Sequence, residues 1–200
     1  KFEVTSGADG AINSGSNGLS NVQPADINGD GVADYAYAGD LQGNLWRFDL
    51  IDTSTAAPFS KNVVNASSFK VSYGGTPLFV AKDSGGTRQP ITAAPSLVKH
   101  PTSFGYLVTL GTGAYLNSAD KASTAVQSVY GIWDRKTSGE NTATVSPAVA
   151  RSALTQQTML LQQAFSAGGV SRIIRTVSDN EIVWYNSPSA GTADANVNKW

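Results

Sequence analysis

The nine residues Asp26-Ile27-Asn28-Gly29-Asp30-Gly31-Val32-Ala33-Asp34 constrain this chain most, because they set oxygen-bearing side chains at loop positions 1, 3, 5 and 9. A hard cation such as Ca²⁺ takes about 6 to 8 oxygen ligands at roughly 2.3–2.6 Å, drawn from carboxylates, amide carbonyls, backbone carbonyls and water. Asp26, Asn28 and Asp30 alternate so that their side chains can converge. Gly31 at position 6 permits a sharp turn, and the carbonyl of Val32 at position 7 then points inward. Asp34 closes the set, directly or through water. The spacing therefore predicts a Ca²⁺ site built from Asp26, Asn28, Asp30, Val32 and Asp34. Asp, Asn and Gly also dominate plain surface turns, but five positions agreeing at fixed spacing, the Gly at position 6 included, set this loop apart from those. A helix-flanked calcium loop carries a bidentate Glu at position 12, where this chain has Tyr37, and Tyr35 to Leu50 reads as strand. The loop is expected inside a β hairpin, not in an EF-hand.

Downstream of the loop, DYAYAGDLQGNLWRFDL (34–50) reads as a short alternating strand, a Gly-Asp-Leu-Gln-Gly-Asn turn and a second strand. In that second strand Trp46, Phe48 and Leu50 share one face and Leu45, Arg47 and Asp49 the other, the period of a half-buried strand. Further strands are expected at Phe69–Tyr73, Pro77–Ala81, Pro95–Lys99, Tyr106–Leu110, Ser128–Asp134, Ser171–Val177 and Glu181–Asn186, between turns rich in Gly, Pro, Ser or Asn. Val149 to Phe165 lacks Gly and Pro, and reads as a helical turn up to Leu154 followed by a strand. Trp46, Phe48, Leu50, Leu107, Ile132, Trp133, Ile182 and Trp184 are the expected core. Aromatic-ended strands recur in a blade-like rhythm, and a four-stranded blade takes about 40 to 50 residues. The expectation is an all-β chain, a modified or partial β-propeller forming one domain over residues 1–200 and cut from a longer protein.

Composition removes several function classes. The 14 basic and 15 acidic residues nearly cancel and form no basic stripe, so neither nucleic acid nor an anionic membrane is an expected partner. The absence of cysteine excludes disulfides, thiol catalysis and zinc–thiolate sites. No apolar run approaches the roughly 20 residues that span a bilayer, and Lys1-Phe2-Glu3-Val4 is not the start of a signal peptide. The single histidine, His100, sits in a proline-marked turn and is expected to be solvated. There is no Gly-x-Ser-x-Gly elbow, no third glycine beside Gly111 and Gly113, and no Gly-Lys-Ser/Thr phosphate loop. No spacing pairs two of Asp120, Asp134, Glu140 and Glu181 for acid–base work. The reading is a non-enzyme with no catalytic residues.

Taken together, these motifs resemble the C-terminal domain of the PilC/PilY family, the tip-associated adhesins and biogenesis factors of type IV pili. The resemblance rests on Gly18-Leu19-Ser20, DINGDGVAD (26–34) and YAGDLQGNLWRFDL (37–50). It continues in QPITAAP (89–95), GTGAYL (111–116), VYGIWD (129–134), LTQQT (154–158) and the final Lys199-Trp200. It implies a modified β-propeller, Ca²⁺ at the five loop residues, and a non-enzymatic role in pilus assembly, in control of extension and retraction (twitching motility) and in surface adhesion. The implied partners are pilin and minor pilin subunits and a host-surface receptor or glycan. The implied location is secreted, at the cell surface, pilus tip or outer membrane of a Gram-negative bacterium. Three features depart from the family: a large N-terminal region and secretion signal are missing, no Arg-Gly-Asp triplet occurs, and the chain stops at Trp200 where the family continues into another strand. Two other readings compete. One is a calcium-dependent adhesion propeller of integrin-α or lectin-like type, whose loops normally repeat. The other is a quinone-dependent dehydrogenase propeller, suggested by Gly39-Asp40-Leu41-Gln42-Gly43-Asn44-Leu45.

Overall fold

The structure, a computed structural model, describes residues 17–51, 66–101, 105–134 and 149–182. They divide between two compact units, Lys1–Arg151 and Ser152–Trp200. The first unit holds two antiparallel sheets. In one, β1 (Gln23–Ala25), β2 (Tyr35–Gly39), β3 (Asn44–Asp49) and β4 (Lys70–Val71) form a meander, and β5 (Phe79–Val80) also pairs with β3. In the other, β6 (Ser96–Lys99), β7 (Tyr106–Gly111) and β8 (Val129–Asp134) lie in chain order.

The turn between β2 and β3 shows why its sequence takes this shape. Gly43 has φ +78°, which a side chain would strain. The buried carboxylate of Asp40 accepts hydrogen bonds from the backbone amides of Gln42 and Asn44, the side-chain amides of Asn17 and Asn44, and the Trp46 indole. That single acid closes the turn and seats the tryptophan. Gly39 is needed for a different reason: a Cβ there would meet the Ile91 Cγ2 at 2.1 Å. The 89–92 stretch packs on this turn and also reaches the second sheet. The Gln89 side chain donates to the Val126 carbonyl and accepts from the Tyr130 hydroxyl, while the Thr92 hydroxyl donates to the Gly113 carbonyl.

One face of the first sheet carries the expected apolar cluster, Ala36, Ala38, Trp46 and Phe48 with Leu50 and Val71 against it. The other face departs from expectation. All six residues of β3 are buried, so Arg47 and Asp49 do not face water as a half-buried strand would have them. They lie within a polar network that reaches the second sheet. The Arg47 guanidinium donates through Nη1 to both carboxylate oxygens of Asp134, at 3.2 and 3.0 Å, and through Nε to the Ser72 hydroxyl, with Nε also 3.2 Å from Asp49 Oδ1. The hydroxyls of Tyr37 and Tyr73 also donate to Asp134. Arg47 lies over the Tyr35 and Tyr73 rings, 4.7 and 4.4 Å from their centroids.

The expected strand Phe69–Tyr73 is only partly realised. Lys70–Val71 pair with β3, after which Ser72–Gly75 turn sharply, with Tyr73 at φ +55°. A left-handed non-glycine residue costs about 1–2 kcal/mol. The contacts of the Tyr73 ring and hydroxyl with Arg47 and Asp134 offset that cost. Pro77–Ala81 likewise contracts to Phe79–Val80. Leu107 and Ile182 are half-buried and not core. Glu181 and Ile182 start no strand, and the rest of that expected strand, Trp184 included, lies outside the described residues.

The mixed reading of 149–165 holds: a 3-10 turn at Arg151–Ala153, at the boundary of the units, is followed in the second unit by β9 (Met159–Ala167). It pairs with β10 (Val170–Val177) across Gly168-Gly169, both at positive φ, as a two-residue hairpin turn requires.

Truncating Asp134→Ala leaves the Arg47 guanidinium buried without its main counter-charge. Breaking a buried pair in this way costs about 3–5 kcal/mol. The expected result is a markedly lower unfolding midpoint in calorimetry, whereas an unchanged midpoint would show that the network does not hold the sheets.

Candidate metal centre

The loop 26–34 is the connection of the β1–β2 hairpin, whose register pairs Ala25 with Tyr35. Its ends are tied by backbone bonds: Asp34 N–H to the Ala25 carbonyl at 2.8 Å, and Leu50 N–H to the Asp34 carbonyl at 2.9 Å. Within it, Gly29 and Gly31 take φ of +81° and +89°, which reverses the chain twice in three residues. The Asp26 carboxylate accepts the amides of Gly29 at 2.6 Å and Gly31 at 2.8 Å. Asn28 accepts the Asp30 amide and Asp30 the Val32 amide, each at 2.8 Å. Asp34 is buried at the base and accepts the Ile27 amide at 2.7 Å.

All five predicted residues thus share one short loop. Among the described residues, no group of three or more His, Asp or Glu side chains is drawn together as a metal cluster. The loop carboxylates are engaged instead by its own backbone amides. The donor set still fits a hard divalent cation: Asp26, Asp30 and Asp34 carry carboxylates, Asn28 an amide oxygen and the Val32 backbone a carbonyl. The carboxylates also feel one another. Burial raises the Asp34 carboxyl above 3.8, the Ile27 and Asn28 amides pull it back, and the charges of Asp26 and Asp30 add to the rise. Asp26 is held below 3.8, chiefly by the Gly31 amide.

Two further residues touch the loop. The Tyr106 hydroxyl donates to the Asp26 carbonyl at 2.7 Å and the Lys99 ammonium to the Ile27 carbonyl at 3.2 Å. Both come from the second sheet, so no local spacing could have flagged them. His100 is buried and stacks on Trp133 at 4.2 Å, in place of the solvated turn position expected for it. Asp134 serves the Arg47 network, and Asp120 accepts the Leu116 and Asn117 amides in the capping box of the 3-10 turn Ser118–Ala122. Glu140 lies outside the described residues.

Residues 1–168 match the family model described as the PilY1 beta-propeller domain. The chain belongs to this family. It is 50% identical over 192 residues to a Type IV pilus biogenesis factor PilY1 of Pseudomonas aeruginosa, covering 90% of this chain and 16% of that protein. A PilY1 homolog of Xylella fastidiosa is 39% identical over 139 residues, 67% of this chain and 9% of the relative. The chain therefore spans under a fifth of the length of these relatives. The crystal structure of the Pseudomonas aeruginosa PilY1 C-terminal domain superposes with a TM-score of 0.84 at 46% identity, covering 99% of this chain and 40% of that one. The fold is that of the PilY1 β-propeller.

The opposite displacements of Asp26 and Asp34 give opposite pH signatures without metal. A carboxyl held low stabilises the fold above 3.8 and loses this as pH falls through its lowered value. A carboxyl pushed up contributes stability below 3.8 that is lost as pH rises through its raised value. In chelator at neutral pH, Asp26→Asn should lower the melting temperature and Asp34→Asn should raise it. Both differences should close in strong acid. Melting curves in chelator across the acidic range check this, and shifts of the same sign would contradict it.

Proposed function

We propose that this chain is a non-enzymatic, calcium-binding propeller segment of a type IV pilus biogenesis factor, active in pilus extension and retraction and in surface adhesion. The observation that carries this reading is the 50% identity, over 90% of the chain, to a relative named as such a factor. The loop geometry supports the calcium part. Asp26, Asn28, Asp30, Val32 and Asp34 would hold the ion, which would supply positive charge where the Asp26, Asp30 and Asp34 carboxylates repel one another. Pilin and minor pilin subunits are the proposed partners, with a host-surface receptor or glycan as the adhesive target. The cell surface or pilus tip is the proposed location. Asp40, in the turn that suggested a dehydrogenase, accepts from Asn17, Gln42, Asn44 and Trp46 and so closes that turn.

Ca²⁺ should bind on the order of micromolar to submillimolar and ahead of Mg²⁺, which demands near-octahedral geometry and sheds its waters reluctantly. Binding to the folded form alone raises the melting temperature by mass action. Calorimetry in which Mg²⁺ matches Ca²⁺, or neither gives heat, would refute this. For the biological role, Asp34→Asn in the full-length protein in its host keeps an acceptor for the Ile27 amide while removing the buried charge. Loss of calcium binding should come with altered surface piliation and twitching, and unchanged pili and twitching would remove the ion from the mechanism.

A further inference from the structure

The Asp26 backbone is held from two sides by different parts of the fold. Its carboxylate is fixed by Gly29 and Gly31 of its own loop, and its carbonyl by Tyr106 of the second sheet. The next carbonyl, Ile27, is held by Lys99. Lys99 and Tyr106 are cross-strand partners in the β6–β7 register, so one rung of the second sheet grips two consecutive carbonyls at the start of the loop. This rung is anchored in turn. The Tyr106 ring meets Tyr37 of β2 edge to face at 6.4 Å, and Tyr106 is in register with Asp134 of β8, which accepts the Tyr37 hydroxyl at 2.8 Å. The position of the first ligand residue is therefore set by how the second sheet docks on the first.

We propose that Tyr106 is a positioning residue for the loop cation, coupling occupancy of the loop to the docking of the β6–β8 sheet on the β1–β5 sheet. This rests on the calcium reading above. A loop already held in place gives up less conformational freedom when it binds, so releasing the Asp26 carbonyl weakens the ion's hold. Coupling between two equilibria is reciprocal, so bound calcium also steadies the β6–β7 rung. Tyr106 touches no ligand atom of the proposed site and acts through the Asp26 backbone.

The test compares the intact protein with its Tyr106→Phe variant, which keeps the ring against Tyr37 and removes only the hydroxyl. Calcium is titrated calorimetrically after chelation, and amide hydrogen exchange is followed with and without the ion. The variant should bind calcium about three- to tenfold more weakly, the effect of one neutral hydrogen bond. In the wild type, calcium should slow exchange both in the loop and along residues 96–99 and 106–111. In the variant, slowing should be confined to the loop. A purely structural hydroxyl would lower the melting temperature equally in calcium and in chelator and leave the calcium affinity unchanged, which overturns the coupling alone. A wild-type protein that binds no calcium overturns the coupling and the calcium reading together.

Discussion

Arg47 places a full positive charge at a residue only 4% exposed, and much of the larger unit is arranged to satisfy it. Burial, the largest single influence, works against the charged form, but the groups around the guanidinium, Asp134 foremost and then Tyr73, Asp49 and Tyr37, together outweigh it, so it stays ionised. The two carboxylates exceed one guanidinium, and the hydroxyls of Tyr37, Tyr73 and Ser72 supply the remaining donors. Because Asp134 ends β8 while Arg47 is central in β3, satisfying the charge requires the two sheets to lie together. The left-handed Tyr73 follows from the same requirement, since that backbone conformation accompanies a ring under Arg47 and a hydroxyl on Asp134.

That network also marks where reading the sequence stopped short. Alternation along β3 gave the two faces correctly, and the Trp46–Phe48 face is core. It could not show that the Arg47–Asp49 face is covered as well, because the covering group lies 87 residues away and charge at period 2 looks like solvent exposure. His100 failed for the same reason, as its neighbour Trp133 belongs to another strand. What was legible was local. The placing of the 26–34 loop in a hairpin, the Gly39–Asn44 turn and the turn-then-strand change within 149–165 each depend on residues close in sequence, and each is found. Lys99 and Tyr106 were invisible because their link to the loop exists only in the β6–β7 register and the packing of two sheets.

The two units differ in how their strands are satisfied. In the first, β2 and β3 are wholly buried. In the second, β9 and β10 are exposed along their whole length, with Phe165 and Ile174 on one face and Ala164 and Ile173 on the other. An isolated two-stranded hairpin is marginal in water. Local devices support it: the Gly168-Gly169 turn, a register continuous from Val170 to Thr176, and cross-strand bonds such as Arg175 to Gln162.

The same contrast bears on what a cation in the 26–34 loop could do. A switch needs two packed arrangements of similar free energy, each with its own contacts, whereas a structural ion deepens one arrangement. Here both ends of the loop are committed. Ala25 and Asp34 are joined by a ladder bond, Tyr35 and Tyr37 are buried in β2, and the Asp26 carbonyl is held by Tyr106. What remains free to change is the middle, from Asn28 to Val32, where the chain is half-buried or exposed and its side chains are held by the loop's own amides. Exchanging those amide bonds for metal contacts reorders a few residues and needs no movement of the strands. A larger response in the whole protein can travel through the sheet-to-sheet contacts, which link this loop to the second sheet by packing and hydrogen bonds.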